Sequence, residues 1–232
     1  MHTKILAYLQ SISEEKYKIF SLKLLPKDTM LLGVRIPILK KLAKQIKKNN
    51  QIDTYLNTPI QNLKYQEEKM LYSLLISYQE VLEEKRIDNI KNYVSHIKNW
   101  SECDTFVASL KSIKNNQEMY YNIFLPYAKS TSEYKIRFFY VMALNYFIND
   151  TFLPQILSLI KTQKYQGYYD RMAVAWFLSM AFVNNPNLIK DFLKETTLDT
   201  QVFQKTISKI NDSYQITKEL KIELKSFLSS RN

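Results

Sequence analysis

An acid placed one helical turn beyond a tryptophan, in N-W-S-E-C-D (Asn99 to Asp104), is the pairing in this sequence best suited to chemistry. On a helix, Trp100 and Asp104 share one face. Arg137, Arg171 and the second tryptophan, Trp176, follow downstream. A carboxylate flanked by indoles in basic surroundings suits stabilisation of a transient cation beside a phosphate backbone. On nucleic acid, that need arises when an N-glycosidic bond is cut, because the transition state resembles an oxocarbenium ion. Each residue also has a purely structural alternative. Asp is a common helix cap, and Arg137 and Arg171 have Glu133 and Asp170 nearby to pair with. Trp176 lies inside the apolar run A-V-A-W-F-L-S-M-A-F, and Trp100 suits packing at a helix end.

The elements that must position these residues read as helices. Two glycines and six prolines in 232 residues are too few for a sheet protein, whose turns need positive φ. In I-L-K-K-L-A-K-Q-I-K-K, Leu39, Leu42, Ala43 and Ile46 form an apolar stripe. Lys40, Lys44, Lys47 and Lys48 occupy the other side, either as a solvated face or as a basic contact surface. Pro37 suits the first turn of that helix and Gly33 a turn before it. Four later segments resemble one another, beginning at Lys69, Asp104, Arg137 and Arg171. They recur about every 34 residues, a spacing typical of stacked helical pairs. A second amphipathic stretch follows each, from Val81, Asn115, Phe152 and Asn187, and Pro126, Pro154 and Pro186 fall near helix ends or starts. The tetratricopeptide W-L-G-Y pattern is missing.

The expected fold is therefore all-α, an α-α superhelix (solenoid) of HEAT-like helical repeats, curved with a basic concave face and forming a single domain over residues 1–232. In such a solenoid one helix of each pair lines the concave face. Trp100, Asp104, Arg137, Arg171 and Trp176 all fall on the first helix of their pairs, so three neighbouring repeats would present them to one region.

The formal charge of +11 favours polyanions, either nucleic acid or an acidic membrane surface. A single cysteine, Cys103, excludes an internal disulfide and fits a reducing compartment. No apolar run approaches the ~18 residues of a membrane span, and the N-terminus is too quickly polar for a signal peptide. A soluble, cytoplasmic protein is expected.

The sequence resembles the AlkD-type DNA alkylation-repair family, HEAT-like repeat DNA glycosylases. The resemblance covers nearly the whole chain. It rests on L-L-G-V-R-I-P-I-L-K-K-L-A-K (Leu31 to Lys44), N-W-S-E-C-D, K-I-R-F (Lys135 to Phe138) and Y-Y-D-R-M-A-V-A-W (Tyr168 to Trp176). It implies excision of cationic alkylpurines, N3-methyladenine and N7-methylguanine, from double-stranded DNA. The charge on the base already makes it a good leaving group, so no general acid is needed. By this resemblance Asp104 is the catalytic carboxylate, and Trp100 and Trp176 pack against the deoxyribose. Arg137 holds the DNA backbone, with Arg171, Lys40, Lys44, Lys47 and Lys48 as further DNA contacts. The resemblance also implies a base that is not flipped into a pocket, and a monomer with no metal and no cofactor. That last expectation fits a chain with only His2, His96 and Cys103. One departure stands out. The family's polar, aromatic-bearing helix ahead of the L-G motif is replaced by I-F-S-L-K-L-L-P-K-D-T-M-L-L-G (Ile19 to Gly33), largely aliphatic and interrupted by Pro26. Two alternatives follow: a weak or inactive member that binds DNA or another polyanion through the same face, or a HEAT-repeat scaffold for a protein partner.

Overall fold

The computed structural model describes residues 1–229, and among them there is no β-strand. The chain forms two compact units, Met1–Ser112 and a second from Ile113 onward. The first holds α1 (His2–Ser11), α2 (Glu15–Leu22), α3 (Ile36–Lys48), α4 (Ile52–Leu56), α5 (Gln66–Tyr78), α6 (Glu83–Val94) and α7 (Trp100–Ser109). The second holds α8 (Gln117–Ala128), α9 (Glu133–Tyr146), α10 (Leu153–Lys161), α11 (Tyr168–Asn184), α12 (Pro186–Glu195), α13 (Thr200–Asp212) and α14 (Lys218–Ser229). In the first unit α5 packs on α3 and α7, and in the second α9 packs on α8 and α11, with α11 on α12 and α13.

The chain is thus an all-α array of helical repeats. The four related segments lie in α5, α7, α9 and α11, which begin at residues 66, 100, 133 and 168. Each is followed by the expected second helix, α6, α8, α10 and α12. Helix α3 shows why the pattern folds this way. Leu39, Ala43 and Ile46 are buried, and Lys40, Lys44, Lys47 and Lys48 are exposed. Pro37 sits in its first turn, where a missing N–H does no harm. Asn50, just past its end, takes φ 52°, a conformation asparagine tolerates. Pro154 and Pro186 likewise fall in the first turns of α10 and α12, and Pro126 in the last turn of α8.

A further repeat feature lies in the loops that enter these helices. Glu68, Glu102 and Asp170, each third in its helix, are almost wholly buried. Glu68 accepts the backbone N–H of Lys64 (3.1 Å) and Tyr65 (2.9 Å). Glu102 accepts that of Lys98 (3.0 Å), and Asp170 those of Gln166 and Gly167. An acid at this position folds back on the entering chain and satisfies donors that the helix cannot. Both glycines serve the same junctions. Gly33 has φ +101°, and a Cβ there would stand 2.6 Å from the Glu14 carbonyl oxygen. A Cβ at Gly167 would fall on the Glu133 carboxylate, which accepts the N–H of Tyr169 at the start of α11.

Candidate functional site

Helix α7 starts at Trp100 because the Asn99 side chain accepts the Glu102 N–H at 3.0 Å. Asn99 is the cap, and Asp104 lies a full turn inside the helix. Trp100 and Asp104 are both half-buried. They line one cavity of about 270 Å³ inside the first unit. Its other walls come from Tyr17, Phe20 and Ser21 of α2, from Leu24, Leu25, Leu31 and Val34 in the non-helical stretch 23–35, from Ile36 of α3, and from Gln66, Glu67 and Met70 of α5. The indole N–H of Trp100 donates to the Leu24 carbonyl at 2.9 Å, so the stretch beyond α2 fixes the ring.

Two carboxylates line this cavity, and they differ in environment. Glu67 is 1% exposed and accepts the backbone N–H groups of Leu32 (3.0 Å to Oε2), Gly33 (2.7 Å) and Val34 (3.0 Å). It clamps the L-L-G-V turn onto the start of α5. Asp104 lines the same cavity from α7, together with Ser101 and Thr105. Among the described residues no lysine, arginine or histidine lines the cavity. Arg35, which stacks on Tyr17 at 4.7 Å, is held by two bonds to Glu14 (2.8 and 2.9 Å).

The remaining expected residues belong to the second unit. Arg137 on α9 is 5% exposed and donates from Nη1 to the Tyr169 carbonyl at 2.9 Å. Arg171 on α11 bonds Asp199 through Nε (3.2 Å) and the Gly167 carbonyl through Nη1, and lies 5.2 Å from the Tyr165 ring. Its acidic partner is therefore Asp199, whose own carboxylate caps α13, and not the adjacent Asp170. Trp176 is half-buried on α11, with Lys209 Nζ 5.8 Å from its ring centroid. Lys47 pairs with Glu80 at 2.8 Å on the exposed side of α3, a contact worth little.

Sequence reasoning missed two features. Tyr17, Phe20 and Leu24 wall the cavity, and no periodicity marks them for that. Lys64, Lys69 and Lys98 border a polar cavity of about 300 Å³ floored by the buried Gln66, Asn99 and Glu102. Lys64 and Lys98 each precede the first residue of their helix by two positions, so the repeat register did carry a signal for them. Burial pushes the Glu102 carboxyl up, although the Lys98 N–H, the Lys69 charge and the Asn99 side chain pull the other way. Among the described residues no helix is long and apolar enough to cross a membrane.

With this geometry in place, comparison identifies the kind of protein. Residues 5–210 match the sequence profile of a family described as DNA alkylation repair enzyme. The match spans most of the chain, and the chain belongs to that family. Comparison with curated proteins and with solved structures gives no match.

Proposed function

We propose that the protein is a monofunctional DNA glycosylase that hydrolyses the N-glycosidic bond of cationic alkylpurines, N3-methyladenine and N7-methylguanine, in double-stranded DNA. The observation that carries this reading is the pairing of Trp100 and Asp104 on one face of α7, at the wall of one cavity. Membership of a DNA alkylation repair family supports alkylated DNA as the substrate. As the bond from C1′ to the base nitrogen breaks, its electron pair neutralises the cationic base and positive charge passes to the sugar. The Asp104 carboxylate stabilises that charge and orients a water molecule. The water oxygen adds to C1′ and gives up a proton, leaving free base and an abasic site.

Trp100 and Trp176 pack against the deoxyribose in this reading. Arg137, Arg171, Lys40, Lys44, Lys47 and Lys48 contact the backbone. The Nη2 of Arg171 makes no bond among the described residues, which leaves it for phosphate. These steps call for no metal or cofactor. The protein acts as a monomeric, single repeat domain in the cytoplasm, with double-stranded DNA as its partner.

Release of 7-methylguanine from alkylated duplex DNA tests the proposal. Asp104→Asn should slow release by roughly 10²–10³-fold, the usual loss with one electrostatic stabiliser, while keeping the fold. Release by the parent protein at the spontaneous rate would overturn it. A second reading, duplex binding without excision, is favoured by one contact: Leu24 already holds the Trp100 N–H, so the stretch 23–35 lies against the face that bears Asp104. Binding without release would establish that reading.

A further inference from the structure

We infer that the cleft between the loops entering α5 and α7 is a phosphate site, and that it holds one backbone phosphate of the strand whose sugar meets Trp100 and Asp104. The identity of that strand rests on the glycosylase reading. The cleft itself stands on its own residues.

Charge comes first. Lys64, Lys69 and Lys98 border a cavity of about 300 Å³ within the first unit. Among the described residues none of the three forms an ion pair. Two carboxylates share the lining, Asp28 and Glu102. Glu102 is buried, accepts the Lys98 backbone N–H at 3.0 Å and has its pKa pushed up by burial, so it offsets the ammonium groups less than a free carboxylate does. Three ammonium groups against two carboxylates leave the cleft electropositive.

Donors come second. Gln66 and Asn99, 6% and 1% exposed, form the floor. Asn99 Nδ2 donates one of its two hydrogens to Gln66 Oε1 at 2.9 Å. Gln66 Nε2 meets the Met70 sulfur, a weak acceptor, at 3.6 Å. Each buried amide therefore keeps an N–H for an oxygen ligand, and buried donors of this kind are as a rule bonded. The two residues lie at the starts of helices of 13 and 10 residues, ends that favour anions.

Position comes third. Gln66 lines both this cleft and the cavity that bears Trp100 and Asp104. Lys98 and Asn99 run directly into Trp100, and Asp104 follows one turn later, about 6 Å along the axis. A strand gripped at the start of α7 is thereby set with a neighbouring sugar at the Trp100–Asp104 face. Phosphate contacts fix register without reading sequence. That suits a substrate defined by its modified base and not by the bases beside it.

Replacing Lys64, Lys69 and Lys98 together with glutamine in the full chain tests the site. The log–log salt slope for binding unmodified duplex DNA should become shallower by about 0.9, the value of one phosphate. Affinity at low salt should fall by roughly tenfold or more, release of 7-methylguanine under subsaturating protein should slow with it, and arginine at the three positions should restore both. If the triple variant fails to fold, Lys98→Gln alone should move the slope in the same direction. An unchanged slope in a folded variant would overturn the inference. If inorganic phosphate at constant ionic strength shifts the Gln66 and Asn99 side-chain amide resonances while duplex DNA does not, the cleft takes a free phosphate and the strand assignment fails. A shallower slope with no release by the parent would keep the cleft and remove the glycosylase. Unchanged slope and unchanged release in the variant would remove the cleft and leave the glycosylase.

Discussion

Glu67→Gln is the substitution whose effect the structure lets us work out most fully. The carboxylate is buried at the second position of α5, and its Oε1 accepts from Gly33 at 2.7 Å and Val34 at 3.0 Å. Leu32 N–H meets both oxygens, at 3.1 and 3.0 Å. Glutamine keeps one acceptor in the Oε1 position but turns an NH₂ group towards Leu32, donor against donor. Leu32 N–H keeps its 3.1 Å contact to Oε1, but the introduced NH₂ group is a buried donor left without an acceptor, which costs about 1–3 kcal/mol. Two bonds that lose charge assistance weaken by ~0.5–1 kcal/mol each, and loss of a negative charge at a helix N-terminus adds ~0.3–1 kcal/mol. Together these give a destabilisation of about 2–6 kcal/mol, and the local turn relaxes to the lower end before the whole unit unfolds. Amide hydrogen exchange is the assay. Leu32, Gly33 and Val34 should lose protection first. A Glu67→Gln protein with these three amides still protected, and within ~0.5 kcal/mol of the parent, the scatter of ordinary surface changes, would refute the clamp.

Two other outcomes follow from the charges. Because burial raises the folded-state pKa of Glu102 above its unfolded value, its contribution to stability is fully present below the unfolded pKa and is lost as pH rises through the folded one. Glu102→Gln keeps an acceptor for the Lys98 N–H, so its urea midpoint should gain on the parent from the acid side towards neutrality; a constant difference across pH would sink this account. For DNA, joint replacement of Lys40, Lys44 and Lys48 with alanine should lower the log–log salt slope of binding by about 0.9 for each phosphate no longer neutralised. An unchanged slope would make that side of α3 a solvated face and nothing more.

What was legible in the sequence were features with a period. The stripe of Leu39, Ala43 and Ile46, the prolines at helix starts and the first-helix segments near 34-residue spacing all repeat locally, and local repetition survives in one dimension. The cavity does not repeat. Trp100 meets Leu24 across 76 residues and Glu67 meets the L-L-G-V turn across more than 30. Both contacts depend on an irregular stretch whose course no propensity fixes. The arginines show the same limit. Arg171 finds Asp199, 28 residues away, although an acid sits beside it in sequence, because Asp170 already holds the entry to α11. Even the buried acids at 68, 102 and 170 were hidden in plain periodicity. Two are Glu and one is Asp, and the third residue of α9 is Lys135.

That register bears on the acid at 104. Counting by 34 from the entry acids, the places equivalent to Asp104 are Met70, Phe138 and Met172. Met70 and Phe138 are 2% and 0% exposed, so in α5 and α9 this place is part of the packed interior. The same count sets Gln66, Tyr134 and Tyr168 opposite Trp100, so α7 alone among these helices combines the indole with the acid. Where α7 departs from its own repeat, the irregular stretch after α2 has left a cavity in place of close packing.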